Sequence, residues 1–166
     1  MNFLKNIKLT NNITLINKPF KKKEYYHFLK TSDLSLMVAE IKKNVFVVVS
    51  QKRIPVKKIT YEFPSGIIDK SEKSIDAACR EFYEETGYKI LDKPRKIFTI
   101  NCEPGRLTTK IHCYYTKKIT KLKKSEKGIK TYLVSKDKIN KLIFQKKFCN
   151  ASHIASFLKV IKVPTN

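Results

Sequence analysis

Apolar and polar residues alternate through much of the first half of the chain. "NITLINKPF" at Asn12–Phe20 and "EYYHFLK" at Glu24–Lys30 have the period of two expected of strands. "LSLMVAEI" at Leu34–Ile41 and "NVFVVVSQ" at Asn44–Gln51 are the best strand candidates, and Lys42–Lys43–Asn44 between them predicts a tight hairpin. "EFPSGII" predicts a strand running into a loop, with Pro64 and Gly66 as breakers. From Ser74 to Thr86 the period changes. Ile75, Ala78, Cys79 and Phe82 form one helical stripe, with Ser74 as the expected N-cap and Gly87 as the residue that ends the helix. "KIFTI", "IHCYYTK" and "IKTYLV" predict further strands. Lys136–Phe144 and Ala151–Ile161 predict two helices, the second with Ile154, Phe157, Leu158 and Ile161 at helical spacing. The pattern is that of a mixed α/β protein with strands on both sides of one central helix. No repeat or linker divides it, so a single domain is expected over the 166 residues.

Composition narrows the class. A hydrophobic content of 42% with 11% aromatic residues supports a globular fold over disorder. The longest aliphatic and aromatic run, Val45–Val49, is too short to cross a bilayer, and "MNFLKNIKLT" lacks the apolar core of a secretory signal. A soluble, cytoplasmic protein with no membrane partner is expected. Cys79, Cys102, Cys113 and Cys149 lack any C-x-x-C or zinc-finger spacing and are expected to be buried, reduced thiols. Lys and Arg number 36 against 14 acids, a formal net charge of +22. The cations are nearly all Lys and are spread along the chain; twelve Lys and two acids lie between Lys117 and Lys147. Such a segment suits phosphate binding or a solvated face. Without an accompanying RNA-binding aromatic signature, the solvated face is preferred, and nucleic acid remains a partner that is not favoured.

The acids run against this background. Seven of the fourteen fall between Glu62 and Glu85. On a helix Glu81, Glu84 and Glu85 share a face, being three or four residues apart, and like charges so placed repel. Arg80 can reach Glu84, but one guanidinium cannot neutralise three carboxylates. A hard divalent cation can, since it takes oxygen ligands and bridges carboxylates to phosphates. The plain alternative is a solvated acidic face.

The spacing is more specific. Gly66, five residues, Glu72, seven residues, then Arg80-Glu81-Phe82-Tyr83-Glu84-Glu85-Thr86-Gly87-Tyr88 satisfies G-x5-E-x7-R-E-U-x-E-E-x-G-U, where U is apolar. The chain thereby resembles the Nudix hydrolases. The resemblance implies an α/β/α sandwich around a mixed central sheet, with hydrolysis of a nucleoside diphosphate linked to another group. The implied cofactor is Mg²⁺, with Mn²⁺ as the alternative. Glu81 and Glu85 match the principal metal ligands, Glu84 the accessory ligand, and Glu72 the acid before the helix. Arg80 matches the arginine that holds the glutamates, and the carbonyl of Ser65 sits where a ligand is often supplied.

Beyond this box, "SQKRIP" and "YEFPSGIID" resemble the ADP-ribose and ADP-sugar pyrophosphatase branch. That likeness implies that Arg53 contacts substrate phosphate or the terminal ribose and that Glu62 shapes the nucleotide site. "EPGRLTTKIH" resembles a further segment of the branch and puts Pro104 and Gly105 at the substrate. Arg106–Leu107 and Thr109 depart from that segment's usual apolar, hydroxyl and acidic pattern. "NASHIASFLKVIK" resembles the branch's last helix, with His153 expected on its surface. Glu126, the one acid between Glu103 and Asp137, is the candidate base by position; Glu84 and Glu85 are the substitutes.

The branch further implies a homodimer built by N-terminal strands. Residues 1–40 would form that part and 41–166 the catalytic core of the same domain. Tyr25, Tyr26 and Phe28 are candidates for stacking on adenine, or for core and interface positions. The leading expectation is Mg²⁺-dependent hydrolysis of ADP-ribose, or a related ADP-sugar, to AMP and a sugar phosphate. The alternatives are another nucleotide conjugate or an RNA 5′ end as substrate, and a noncatalytic RNA-binding module, against which the retained glutamates argue.

Overall fold

Strand β4 (Leu34–Lys42) is buried from Ser35 to Ala39, and its side chains feed two separate cores. Leu36 and Val38 point into one cluster; Met37 and Ala39 point into the other. A strand covered on both faces must be apolar at consecutive positions, which explains why alternation gives way to an unbroken run here. The computed structural model describes residues 4–21 and 24–162; residues 1–3, 22, 23 and 163–166 of the two ranges above lie outside the described residues.

Around β4 lies a seven-stranded mixed sheet. Its order is β12 (Lys130–Ser135), β5 (Val45–Arg53), β4, β10 (Lys110–Thr116) and β9 (Arg95–Asn101); β6 (Lys58–Glu62) pairs with β5, and β7 (Ser65–Ile67) with β4. Only β10 runs parallel to its neighbour β4, with Ile111 opposite Leu34. The hairpin between β4 and β5 turns through Asn44 at φ 60°, and the Asn44 amide donates to Glu40 at 2.7 Å.

Helix α1 (Ser74–Thr86) covers one face through Ala78 and Phe82, which pack with Met37, Val47 and Tyr114. Helices α2 (Lys136–Phe144) and α3 (Ala151–Lys162) cover the other, where Ile139, Leu142, Phe157 and Val160 meet Leu36, Phe46 and Phe63. This is the expected α/β/α arrangement. A two-stranded ribbon, β8 (Tyr88–Ile90) with β11 (Ile119–Lys121), follows the end of α1. Strands β1 (Ile7–Lys8), β2 (Ile13–Lys21) and β3 (Glu24–Thr31) form a second, antiparallel sheet. It is tied to the 103–109 loop by hydrogen bonds from the Leu29 amide to the Arg106 carbonyl (2.8 Å) and from the Thr108 amide to the Leu29 carbonyl (3.0 Å).

Several expectations are corrected. Lys73, not Ser74, precedes the first turn of α1, and its side chain does not cap it. Ser74 is already helical, and its hydroxyl pairs with the Tyr114 hydroxyl at 2.7 Å. "EFPSGII" divides: β6 begins earlier, at Lys58, and Phe63 and Pro64 separate it from β7. Of the four cysteines only Cys113 is buried, and Cys102 and Cys149 are exposed. The stripe of α3 is rotated by about one residue. Ser152, His153, Ser156, Phe157 and Val160 are buried, while Leu158 is exposed. The small Ser152 and Ser156 turn inward, and the Ser156 hydroxyl satisfies itself on the Ser152 carbonyl at 2.8 Å.

Phe82 is fully buried and anchors α1 to the sheet. Phe82→Ala is expected to lower unfolding stability by about 3–5 kcal/mol, read by urea denaturation. A loss below about 1 kcal/mol would contradict its placement in the core.

Candidate active site

Between β7 and α1 the chain makes a tight loop, and the acids collect where that loop meets the helix. Gly66 has a steric cause: a Cβ there would lie 2.0 Å from the Glu81 carboxyl carbon. The absence of a side chain lets Glu81 lie across the strand end.

Arg80 is the hub. Its Nε and Nη2 donate to the two oxygens of Glu72, each at 2.9 Å, a bidentate pair. Its Nη1 donates to Glu81 at 2.7 Å and to Glu84 at 3.4 Å, and Nη2 also donates to the Ile67 carbonyl at 3.0 Å. The bonds to Glu72 are the main reason the Arg80 pKa is pushed up further. The same bonds, against a smaller opposing effect of burial, hold the Glu72 carboxyl below its usual range. The Asp69 amide fixes Glu72 from the loop side at 3.0 Å. A cleft of about 490 Å³ opens beside Glu72, lined also by Asp33, Ser74 and His112.

Glu81 and Glu85 are different. Burial raises the Glu81 pKa despite the bond from Arg80. Glu85 is 6% exposed and accepts one hydrogen bond, from the Ser65 amide at 3.1 Å. It forms no ion pair among the described residues. Burial pushes its pKa up to about 8, and the neighbouring charge of Glu81 adds to the effect. Three box glutamates thus share one guanidinium, and the fourth and most buried, Glu85, lacks a cationic partner in contact. A hard divalent cation fits this all-oxygen donor set, with Glu81 and Glu85 as ligands, Glu84 and Glu72 beside them, and the Ser65 carbonyl on the adjoining strand. Among the described residues, no three acidic, His or Cys side chains converge on one point; Glu72, Glu81 and Glu84 are distributed around Arg80 and Glu85 stands apart on the Ser65 amide.

Close enough to the Glu85 carboxyl to act on its charge, Arg53 and Glu62 form a second bidentate pair, at 2.9 and 2.6 Å. Glu62 is buried, which disfavours its charge, yet bonds from Arg53 and Thr60 override burial and hold its pKa below the ordinary value. His153, expected on the surface, lies here instead. It is 3% exposed, stacks on Phe63, and its Nδ1 accepts the Phe63 amide at 3.0 Å. Burial pushes its pKa down to about 4, so it is a neutral acceptor at pH 7. It pins the chain between Glu62 and Ser65. The spacing of Ser152 and Ser156, small residues one turn apart, was the available signal that this face of α3 turns inward.

Pro104 and Gly105 sit in a turn closed by the Arg106 and Leu107 amides on the Glu103 carbonyl, at 3.0 and 2.7 Å. The Tyr26 hydroxyl donates to the Gly105 carbonyl, and Arg106 lies over the Tyr26 ring. This turn belongs to the contact with the N-terminal sheet; among the described residues no hydrogen bond or ion pair joins it to the Arg80 cluster. Tyr25 and Phe28 are partly buried on that sheet. Glu126 is exposed, and its amide donates to the Glu84 carbonyl at 3.2 Å, which sets its backbone beside the acidic helix.

Residues 32–146 match the family model of the NUDIX domain. Over 85 residues the chain is 33% identical to the methanol dehydrogenase activator of Bacillus methanolicus, covering 51% of this chain and 45% of that protein. Over 63 residues it is 41% identical to the ADP-ribose pyrophosphatase of Saccharomyces cerevisiae, covering 37% of this chain and 26% of that protein. The matched segments therefore span less than half of either relative. A crystal structure of an ADP compounds hydrolase shares the fold, with a TM-score of 0.75 over 95% of this chain and 89% of that chain at 15% identity.

The raised Glu85 pKa has a definite sign. The folded protein takes up a proton that the unfolded chain has already lost, so stability is retained below about pH 4.5 and declines as pH rises toward about 8. Without divalent cation, Glu85→Gln should melt above the parent protein by a margin that widens from pH 5 to pH 8. Adding Mg²⁺ at pH 8 should stabilise the parent protein more than the variant. Thermal melts in chelator and in Mg²⁺ check both, and a margin independent of pH would refute the buried, unpaired carboxylate.

Proposed function

Since the chain belongs to the Nudix family, we propose that it is a Mg²⁺-dependent pyrophosphohydrolase that cleaves ADP-ribose, or a related ADP-sugar, to AMP and a sugar phosphate. Mn²⁺ is the alternative cation. The observation that carries this reading is the gathering of Glu72, Glu81 and Glu84 on Arg80, with Glu85 buried behind the Ser65 amide.

A divalent cation held by Glu81 and Glu85 would supply positive charge against which a pyrophosphate's negative charge is balanced. The chain's own residues do the rest. Arg80 orients Glu72 and Glu81, and the Ser65 amide fixes one oxygen of Glu85. Water adds to one phosphorus, the bridging P–O bond breaks, and the proton from water passes to a carboxylate. Glu126 is the proposed base, with Glu84 next to it on the helix. Arg53 has one exposed edge despite its pairing with Glu62, and is the proposed contact for substrate phosphate or ribose. Pro104 and Gly105 are the proposed substrate-side turn.

The choice of an ADP-sugar is supported by the segments around Arg53, Glu62 and Pro104 and by the yeast relative named above. RNA 5′ ends and a noncatalytic RNA-binding role are set aside: the glutamates are all present, and the lysines are dispersed. The second copy of the chain is a proposed partner. The β1–β3 sheet and the turn after β1 leave Ile7, Leu9 and Phe20 exposed, more apolar surface than an isolated sheet edge should show water. We propose a C2 homodimer through this sheet, with Tyr25, Tyr26 or Phe28 available to stack on adenine. A cytoplasmic location is part of the same reading.

Two experiments test it. In an ADP-ribose assay at fixed Mg²⁺, Glu85→Gln should lower kcat by roughly 10²-fold or more, about 3 kcal/mol of barrier, while the protein stays folded. Near-normal turnover would remove Glu85 from the metal. Deleting residues 1–30 should yield a monomer by light scattering and weaken ADP-ribose hydrolysis. A parent protein that is monomeric at micromolar concentration, with activity surviving the deletion, would refute the dimer.

A further inference from the structure

The last turn of α1 contains Glu84 and Glu85 and no basic residue. Negative side chains therefore sit at the helix end where the backbone dipole is already negative. The compensation comes from outside the helix. Residues 121–131 lie along that end and are bonded to it repeatedly. The Leu122 and Lys123 amides donate to the Gly87 carbonyl at 3.0 and 3.2 Å, and the Glu126 amide donates to the Glu84 carbonyl at 3.2 Å. The Thr131 hydroxyl donates to the Glu85 carbonyl at 3.4 Å.

Two lysines fasten this segment. Lys121 Nζ donates to the Thr86 carbonyl and lies 4.5 Å from the centre of the Tyr88 ring. Lys123 Nζ lies 4.3 Å from the centre of the Tyr83 ring. Both distances are well inside the range of cation–π attraction. Tyr83 and Tyr88 belong to α1 and to the strand that follows it, so each lysine ties the segment to the element that carries the acids. Gly87 makes the approach feasible. It is left-handed at φ 70°, and a Cβ there would stand 2.1 Å from the Lys123 carbonyl oxygen. Lys124, Lys127 and Lys130 are exposed in the same segment and have no ring contact among the described residues.

We propose that Lys121 and Lys123 are positioning residues: seated on Tyr88 and Tyr83, they lock residues 121–131 to the end of α1 and hold Glu126 beside Glu84. The catalytic half of this proposal rests on the pyrophosphohydrolase reading above. The segment thus works from a fixed station, set by two ring contacts and the carbonyls of Thr86, Gly87 and Glu84.

The test uses the full chain with four variants: K121M/K123M, the control K124M/K127M that removes the same charge from the same segment, E126Q, and E126Q combined with K121M/K123M. Amide hydrogen exchange reads the lock without substrate. In K121M/K123M the Leu122, Lys123 and Glu126 amides should lose roughly tenfold or more in protection while β4 and β10 keep theirs. In steady-state ADP-ribose hydrolysis, kcat should fall about tenfold with KM changed by less than about twofold, and E126Q should add almost nothing in that background. K124M/K127M should match the parent protein, and Lys123→Arg, which keeps a cation over Tyr83, should retain protection. The proposal is overturned by unaltered Glu126 protection in K121M/K123M, by equal effects in the control pair, or by an E126Q loss that multiplies in full. If the double variant does not fold, Lys123→Met alone carries the same readouts. Loss of protection in a protein without hydrolase activity would refute the reaction and leave the lock standing; hydrolysis with unaltered exchange would refute the lock alone.

Discussion

The bidentate bond between Arg80 and Glu72 is the constraint on which the site depends. It joins residue 80 on the helix to residue 72 in the preceding loop, and so fixes the loop's path over the start of α1. With that path set, the remaining guanidinium edge can hold Glu81 and Glu84, and the chain passes Gly66 closely enough for Glu81 to lie across it. One cation spread over three carboxylates leaves an electrostatic deficit. The deficit is greatest at Glu85, which is buried and whose single hydrogen bond comes from a backbone amide. Such a carboxylate is costly until it meets a second cation. The arrangement therefore concentrates local instability at the buried end of the acidic helix.

Sequence order made the acidic cluster legible because the charged groups that meet on Arg80 are local. Glu72, Arg80, Glu81, Glu84 and Glu85 lie within one loop and one helix, where spacing in sequence determines position in space. The unbroken run in β4 and the alternation in β2 were readable for the same reason. What stayed hidden depended on tertiary contact. Polarity alone suggested that His153 faces water; it is buried because the Phe63 amide, ninety residues away, requires an acceptor. Ser74 looked like a cap until Tyr114 claimed its hydroxyl. The short strands β8 and β11 carry no periodicity of their own and exist only as each other's partner.

The Arg53–Glu62 pair shows how an exposed cation is built on a buried charge. A half-exposed guanidinium is held at a fixed angle by a buried carboxylate, which accepts a second bond from the Thr60 hydroxyl, while the neutral His153 holds the next residue, Phe63, by its amide. Support of this kind leaves the guanidinium little freedom to move.

The position of β10 beside β4 also constrains how the chain acquires its shape during synthesis. Leu34 pairs with Ile111, a separation of 77 residues, and β5 waits still longer for β12 at Lys130–Ser135. Until those later strands leave the ribosome, the most apolar strands of the protein have open edges, while the acidic helix is already complete. Pairings this distant in sequence are slow to form and leave edges exposed to other chains in the meantime. A nascent chain that is lysine-rich outside the acidic loop and helix repels its neighbours on the same polysome, and that repulsion opposes pairing of the open β4 and β5 edges during the interval.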